Sequence, residues 1–175
     1  MIKSIKNFLD KENFLIVKSI FEHPSFPWYY NDHKVVSGDG EFQFTHTFIE
    51  DHKVVSNCFD GLYPLINRLQ PKSIRRMKVN LTFKETKIKT TPFHTDFSKK
   101  ITGMKTAIYY LNTNNGHTIF KNKKKEKSIK NKLVIFPSDL EHAGTTHTDV
   151  TKRMVLNINY YASSSGSSGS SGEGV

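Results

Sequence analysis

Three residues of this chain have the types and the spacing that a mononuclear metal centre requires. His94 and Asp96 are separated by one residue, and His142 follows after a gap long enough for another part of the fold to supply it. Residues i and i+2 of a β-strand point the same way, so one strand end can direct both His94 and Asp96 at an ion. Two imidazoles and one carboxylate form the facial ligand set of non-heme Fe(II), which leaves the opposite side of the ion open. The pattern therefore predicts an Fe(II) site.

The third ligand has a second candidate, His147. His142 follows the apolar run 132–136 and a short segment that begins at Pro137, whereas His147 lies in the turn predicted over 145–151. Turns are more mobile than strand ends, and a metal ligand must be held in place. We therefore prefer His142.

Arg153 is positioned to hold an anion beside this metal. It follows His142 by eleven residues, which is enough for a turn and an antiparallel return. A guanidinium can grip a carboxylate through two parallel hydrogen bonds, and a buried arginine needs such an anionic partner. The competing interpretation is a surface arginine that pairs with Asp149.

Several longer stretches carry a resemblance to a known family. They are PFHTDF (92–97), KTAIYYLNTNNGHTIF (105–120), NKLVIFPSDLEHAG (131–144) and KRMVLNINY (152–160), with weaker matches at FPWYY (26–30) and FQFTHTF (42–48). In these stretches the chain resembles the 2-oxoglutarate- and Fe(II)-dependent dioxygenases, closest to the prolyl-hydroxylase-like branch and its phage-encoded relatives. The resemblance runs from about residue 5 to residue 161.

The resemblance implies a role for each of these residues. Fe(II) is held by His94, Asp96 and His142, and 2-oxoglutarate chelates the iron while its distal carboxylate pairs with Arg153. Tyr110 points into the barrel and reaches the same carboxylate. The carboxylate of Asp96 resembles the hydroxylating relatives rather than the halogenating ones, so the implied reaction consumes O₂, hydroxylates a C–H bond and releases succinate and CO₂.

Other polar residues on predicted strands are weaker candidates for the pocket. They are Asn80, Thr118, Asn157 and Asn159, with Asn159 expected nearest to the substrate. His117 departs from the residues that relatives carry there and is assigned no role. His46 shares the apolar face of its strand with Phe44, so we interpret it as a hydrogen-bonded core histidine.

The sequence leaves several classes of prime substrate as alternatives. The resemblance implies a peptidyl residue of the prolyl type, while a nucleic acid, a small molecule, or a non-catalytic metal-binding module remain alternatives. The segment Lys121–Lys132 carries seven lysines opposed only by Glu126 and can attract nucleic acid. We favour a solvated hairpin for it.

The hydrophobic periodicity predicts helices first and strands afterwards. Helical spacing runs from 14 to 21 behind a possible N-cap at Asp10, and again from 59 to 69, while alternation dominates from 75 onward. This order predicts a mainly β protein with some α, an antiparallel sandwich of the jelly-roll type. The resemblance implies a double-stranded β-helix, a jelly-roll or cupin-like core, with N-terminal supporting helices.

Length and composition set the remaining expectations. The 175 residues predict a single domain over 1–161, with helical support over about 1–72, a core over about 73–161 and a disordered Ser/Gly tail over 162–175. The single Cys58 excludes an internal disulfide, and neither a signal peptide nor an apolar run of ~18 residues is visible. We expect a cytoplasmic protein, in the host cytoplasm if the chain is viral, without membrane contact. The oligomeric state is not predicted.

Overall fold

A computed structural model describes residues 1–38, 40–97 and 101–163 of the chain. These residues form two α-helices, one 3₁₀ turn at Asp60–Leu62 and eleven β-strands. The elements are β1 Lys3–Ile5, α1 Lys11–Glu22, β2 Tyr29–Asn31, β3 Gln43–Glu50, β4 Lys53–Val54, α2 Tyr63–Leu69, β5 Pro71–Phe83, β6 Met104–Tyr110, β7 His117–Phe120, β8 Lys125–Lys127, β9 Lys132–Pro137, β10 His142–Gly144 and β11 Lys152–Ala162.

The strands form two antiparallel sheets. The major sheet has the order β1-β9-β6-β11-β5-β3-β2, with β4 added to β3, and the minor sheet has the order β10-β7-β8. One cavity is lined from both sheets, by Asn80 and Arg153 of the major sheet and by Thr118 and His142 of the minor sheet. This arrangement confirms the predicted mainly β, jelly-roll fold.

The helices cover the outer face of the major sheet. Met77, Val79 and Leu81 of β5 are buried on that face, in one apolar cluster with Val17 of α1 and Leu65 of α2. Because strand side chains alternate, the residues between them point to the inner face, toward the minor sheet. The apolar alternation of β5 therefore directs its polar residues to the inner face, where Asn80 and Thr82 line the cavity.

Local sequence signals account for the helix ends. The carboxylate of Asp10 accepts a hydrogen bond from the Asn13 backbone N–H at 2.9 Å, which confirms the predicted N-cap. Helix α1 ends at Glu22, and its C-cap His23 directly precedes Pro24. Helix α2 ends at Leu69; the φ of 49° at its C-cap Gln70 lies in the left-handed region, and the chain turns there into β5.

The N-terminal region contributes more than helical support. Strands β1 to β4 all join the major sheet, so the sheet extends into the region predicted as helical support. Strand β8 was not predicted, because its sequence Lys-Glu-Lys has one buried side chain and no apolar residue. Strand β11 continues to Ala162, one residue into the predicted tail, and residues 164–175 of that tail lie outside the described residues.

The lysine-rich segment forms the β7–β8 hairpin and the strand that follows. The lysines at the hairpin turn are exposed, as a solvated hairpin requires, but Lys132 is buried and pairs with Glu126 at 3.3 Å. In the part of the chain that the structure describes, no helix is long and apolar enough to span a bilayer.

Candidate metal centre

The two histidines of the predicted triad are joined through their backbones. The His94 N–H donates to the carbonyl of His142 at 3.0 Å, and the His142 N–H donates back to the carbonyl of His94 at 2.9 Å. A further bond from the Thr91 N–H to the carbonyl of Gly144 at 3.0 Å aligns the chain before His94 with β10. The connection after β5 thus runs antiparallel to β10 and brings the imidazole rings to 4.8 Å between centroids.

Asp96 completes the cluster two residues after His94. Nitrogen or oxygen atoms of His94, Asp96 and His142 all lie within 4.8 Å of one another. The Nδ1 of His94 faces the carbonyl of Pro92 at 3.1 Å, and the Nδ1 of His142 faces the carbonyl of Leu140 at 3.1 Å. With Nδ1–H donated to a carbonyl, each Nε2 is free to bind a metal. The donor set and its spacing therefore fit one divalent ion.

Three side chains hold the carboxylate of Asp96. Its Oδ2 accepts from Asn159 Nδ2 at 2.7 Å and from Thr106 Oγ1 at 2.8 Å, and its Oδ1 lies 3.3 Å from a guanidinium nitrogen of Arg76. Burial opposes ionisation, but His142, Arg76 and the two hydrogen bonds outweigh it and lower the pKa of Asp96. Asp96 is therefore ready to bind a cation as a carboxylate.

His142 is also prepared for metal binding by its surroundings. Burial lowers its pKa, with a further small contribution from His94, while Asp96 acts in the opposite direction. Only the neutral imidazole has a lone pair for a metal, so the lowered pKa favours the ligating form.

A bulge in β5 supports the segment that carries Asp96. The register of β5 with β11 shifts between Ile74 and Arg76, which leaves Arg75 as the extra residue. Both guanidinium carbons approach the ring of Phe97, at 4.6 Å for Arg75 and 4.8 Å for Arg76. The aromatic ring next to Asp96 therefore contacts two cations.

Arg153 lies in the same cavity and is buried. Its Nε donates to Ser128 Oγ at 3.0 Å, and its guanidinium carbon lies 5.9 Å from the ring centroid of Tyr110. Across the described ranges 1–38, 40–97 and 101–163, Arg153 has no carboxylate within 4 Å. Burial lowers its pKa, yet a guanidinium remains charged. The alternative of a surface Arg153 paired with Asp149 is wrong, because Arg153 is buried and the two side chains form no pair within 4 Å. Asp149 instead accepts from the backbone N–H of Asn115 at 2.9 Å.

Tyr110 and Thr118 lie next to Arg153. The phenol of Tyr110 is fully buried, burial raises its pKa to about 12, and its hydroxyl donates to Thr118 Oγ1 at 2.8 Å. Tyr109 points to the opposite face, where its hydroxyl donates to Asn131, so the two tyrosines face opposite sides as predicted. Thr118 lines the cavity and keeps its own hydroxyl hydrogen for a ligand.

The remaining predicted pocket residues divide into two groups. Asn80, Thr118 and Asn157 line the cavity, and the Oδ1 of Asn80 is buried without a hydrogen-bond partner among the residues described. Asn159 does not line the cavity, which corrects the expectation that it lies nearest to a substrate. It lies behind Asp96, where its Oδ1 accepts from Arg76 Nε at 3.2 Å.

The other histidines lie outside the metal centre. His46 is a core histidine as predicted, with Nδ1 2.8 Å from the carbonyl of Pro27 and Nε2 2.6 Å from Ser56 Oγ. His147 is not in a mobile position but fully buried, and neither ring nitrogen has a partner in the described parts of the chain. His117 is half-buried at the start of β7.

Sequence reasoning missed the residues that support the site. Arg76, Thr106, Phe97 and Ser128 contact the predicted residues without belonging to the HxD motif. One signal was available: Arg76 precedes Asn80 by four residues on an alternating strand, so both point to the inner face.

Comparison with known proteins gives a consistent result for the fold. A scan of protein-family models found no match, and a search of curated proteins by sequence found none. A solved 2OG-Fe(II) oxygenase family oxidoreductase from Burkholderia pseudomallei has a TM-score of 0.70 at 11% identity, covering 91% of this chain and 84% of that chain. The chain has the fold of the 2OG-Fe(II) oxygenases.

Two further solved structures extend this likeness. A prolyl hydroxylase from Trichoplax adhaerens, in complex with a hypoxia inducible factor peptide fragment, has a TM-score of 0.64 at 13% identity, over 91% of this chain and 83% of that chain. The epimerase SnoN from nogalamycin biosynthesis, in complex with Fe³⁺ and α-ketoglutarate, has a TM-score of 0.62 at 11% identity, over 92% and 78%. The oxygenase fold predicted from the motifs is confirmed.

Proposed function

We propose that this chain is an Fe(II)- and 2-oxoglutarate-dependent dioxygenase that hydroxylates a C–H bond and releases succinate and CO₂. The observation that carries this proposal is the pairing of two features in one cavity. The first feature is the cluster of metal-binding atoms of His94, Asp96 and His142. The second is Arg153, which lines the same cavity as a buried cation without a carboxylate partner in the described residues. A buried charge without a partner is energetically costly, so we infer that a bound anion pairs with the guanidinium of Arg153.

The metal ligands have distinct supports. His94 and His142 offer Nε2 because backbone carbonyls occupy Nδ1, and Asp96 offers a carboxylate oriented by Asn159 and Thr106. When bound, Fe(II) with 2-oxoglutarate and O₂ supplies the oxidising chemistry. The protein determines the orientation of the ligands and which C–H bond comes within reach.

The chain offers a specific arrangement for the distal carboxylate of 2-oxoglutarate. Ser128 accepts from Nε of Arg153, which leaves the terminal guanidinium nitrogens for the carboxylate. Thr118 adds a hydroxyl donor whose oxygen is already held by Tyr110. Tyr110 thus acts through Thr118. This differs from the sequence-based expectation that the hydroxyl of Tyr110 itself reaches the carboxylate.

For the prime substrate we propose a peptidyl residue of the prolyl type. The support is the oxygenase fold shared with solved prolyl hydroxylases, one of them bound to a peptide. A non-catalytic module is a poorer explanation, because a metal-binding role alone gives Arg153 no anion.

The test measures co-substrate binding and turnover separately. Anaerobic titration of the Fe(II)-loaded protein with 2-oxoglutarate is expected to produce a weak visible metal-to-ligand charge-transfer band, and aeration is expected to yield succinate. Arg153→Met should weaken the band, His94→Ala should abolish it, and Arg68→Met, on the exposed end of α2, should change neither. Bound iron without band or succinate would refute the proposal.

A further inference from the structure

The inner face of β5 carries an ordered row of polar residues. Arg76, Lys78 and Asn80 alternate with the buried Met77 and Val79, so all three point to the side of the cavity. Asn80 lines the cavity and Arg76 contacts Asp96, which places Lys78 between the two. Same-face neighbours on a strand are ~7 Å apart, and the charge of Asp96 acts on the Lys78 ammonium, so Lys78 lies on the same side of the sheet as the metal centre although it does not line the cavity.

Lys78 has no partner of its own. It is half-buried, and in the described residues no hydrogen bond or carboxylate within 4 Å engages its ammonium group. Its cross-strand neighbours are the uncharged Asn157 on β11 and Thr47 on β3. Burial lowers the pKa of Lys78, Arg76 lowers it further, and the more distant carboxylates of Asp96 and Glu50 act weakly in the opposite direction.

Charge balance in the filled site leaves an excess of positive charge. A divalent metal, Arg153, Arg76 and Lys78 would bring five positive charges, against three negative charges from Asp96 and the two carboxylates of 2-oxoglutarate. Arg76 is engaged by Asp96, Asn159 and the ring of Phe97, so it is not free to turn to a substrate. A single half-buried ammonium on this side of the sheet matches one carboxylate better than a phosphate chain.

We propose that Lys78 binds a carboxylate of an acidic peptide substrate, next to the residue that is hydroxylated. That the ligand is a peptide rests on the proposed function. That it carries a carboxylate rests only on the surroundings of Lys78 in this chain. Thr47 and Asn157 flank Lys78 with neutral hydrogen-bonding groups that suit a peptide backbone. The substrate class is thereby narrowed from any prolyl-type peptide to one with an acidic neighbour.

The first measurement uses acetate as the carboxylate probe and needs no metal. Lysine side chains labelled with ¹³C at Cε are followed by NMR at constant ionic strength, with Lys78→Met and Lys72→Met identifying the two signals. Acetate is expected to shift the Lys78 signal and leave that of Lys72, exposed on the same strand, unchanged. A static Lys78 signal, or one that responds to inorganic phosphate but not to acetate, would overturn the inference; the second result would indicate a phosphate-bearing substrate.

The second measurement locates the anion relative to the metal. Mn²⁺ accepts the same donors, and with 2-oxoglutarate present its unpaired electrons relax a nearby ¹³C-acetate. Lys78→Met should reduce this relaxation about fivefold and Lys78→Arg should retain it. Equal relaxation in wild type and Lys78→Met would overturn the inference. If Mn²⁺ does not bind while the Lys78 signal still responds to acetate, the proposed function fails and the carboxylate site stands.

Discussion

Asn159 donates a hydrogen bond from Nδ2 to Oδ2 of Asp96 over 2.7 Å, from the far side of the metal centre. The same amide nitrogen lies 2.9 Å from Thr106 Oγ1, and the amide oxygen accepts from Arg76. Asn159 is fully buried, and this one side chain contacts the carboxylate directly and also holds Thr106 and Arg76, the two other side chains that contact it. It is a positioning residue, because it contacts Asp96 and not the cavity.

Removing this amide is expected to lower the metal affinity while all three metal-binding residues remain. Asn159→Leu keeps the size of the side chain but leaves Asp96 with fewer donors, and we expect metal affinity to fall about 10- to 100-fold. Competition with a chelator, read by the EPR signal of free Mn²⁺, measures the change. Thr106→Val removes one donor to Asp96 but leaves Asn159 and Arg76 in place, so its effect should be smaller; unchanged affinity in Asn159→Leu would contradict the assigned role.

The two arginines stacked on Phe97 give a second prediction. Phe97→Leu removes both cation–π contacts and should lower metal affinity about three- to thirtyfold, because the segment carrying Asp96 is less firmly held. Phe93→Leu is the matched control, since Phe93 lies on the other side of His94 under the exposed Lys121, at 5.5 Å. Equal losses in the two variants would show that the effect is general to this connection.

Arg153 should affect ligand binding far more than stability. Its buried charge has no carboxylate partner in the residues described, so Arg153→Met is expected to keep the free energy of unfolding within about 1 kcal/mol of wild type. The dissociation constant for 2-oxoglutarate should rise at least about 30-fold. Urea unfolding and anaerobic calorimetry give the two values. A large loss of stability with normal binding would assign Arg153 a structural role instead.

His147 predicts a pH dependence of the metal-free protein. Burial, followed by Arg153 nearby, lowers the pKa of His147 below its ordinary value of 6.5. Below pH 6.5 the unfolded chain therefore binds a proton that the folded chain rejects, so stability is complete above 6.5 and declines as the pH falls. The slope contributed by one such group reaches at most about 1.4 kcal/mol per pH unit.

The test compares urea unfolding of wild type and His147→Phe on both sides of that pH. Because both ring nitrogens of His147 lack partners in the described parts of the chain, the phenyl ring should cost little at neutral pH. The variant should lose less stability than wild type on acidification. Parallel pH profiles would mean that His147 titrates normally in the folded protein.

The buried pair Lys132–Glu126 predicts an effect on stability. Lys132→Met leaves Glu126 with Ser4 at 2.6 Å and the exposed Lys124 at 3.2 Å, so we expect a loss of about 1–3 kcal/mol. Lys124→Met should cost less than about 1 kcal/mol, since that lysine is largely exposed. The double variant Lys132→Met/Glu126→Leu should recover much of the stability lost in Lys132→Met. A further decrease in stability would show that Glu126 is stabilised mainly by Ser4.

His142 and Arg153 come from distant segments, and their roles were predicted from the family resemblance. The His94–Asp96 pair, the N-cap at Asp10 and the alternation of β5 and β11 follow from local rules that a sequence displays. His94 and Asp96 are close in sequence, Asp10 bonds within its own helix, and β5 and β11 alternate visibly. Each of these features depends on neighbours a few residues away, or on a periodicity that the burial of one face imposes.

The misplaced residues depend on how separate strands and turns pack together. Asn159 supports Asp96 because the register of β11 against β5 sets it opposite Arg76, and register is not visible in either strand alone. His147 lies in a turn, yet the turn is buried. Lys132 of the major sheet meets Glu126 of the minor sheet, although both belong to the same lysine-rich segment. The bulge at Arg75 has no sequence signal that we can identify.

The reciprocal backbone bonds between His94 and His142 also bear on how such a site can change over time. Those bonds join backbone N–H and C=O groups, and every residue except proline has a backbone N–H. The pairing of the two segments therefore does not depend on the imidazole side chains. Either ligand can therefore be exchanged for another side chain while the two chain segments stay paired. Asp96 is different, because Asn159, Thr106 and Arg76 all contact its carboxylate. Replacing it would leave these three polar side chains without their common acceptor, whereas replacing either histidine would leave the backbone pairing intact.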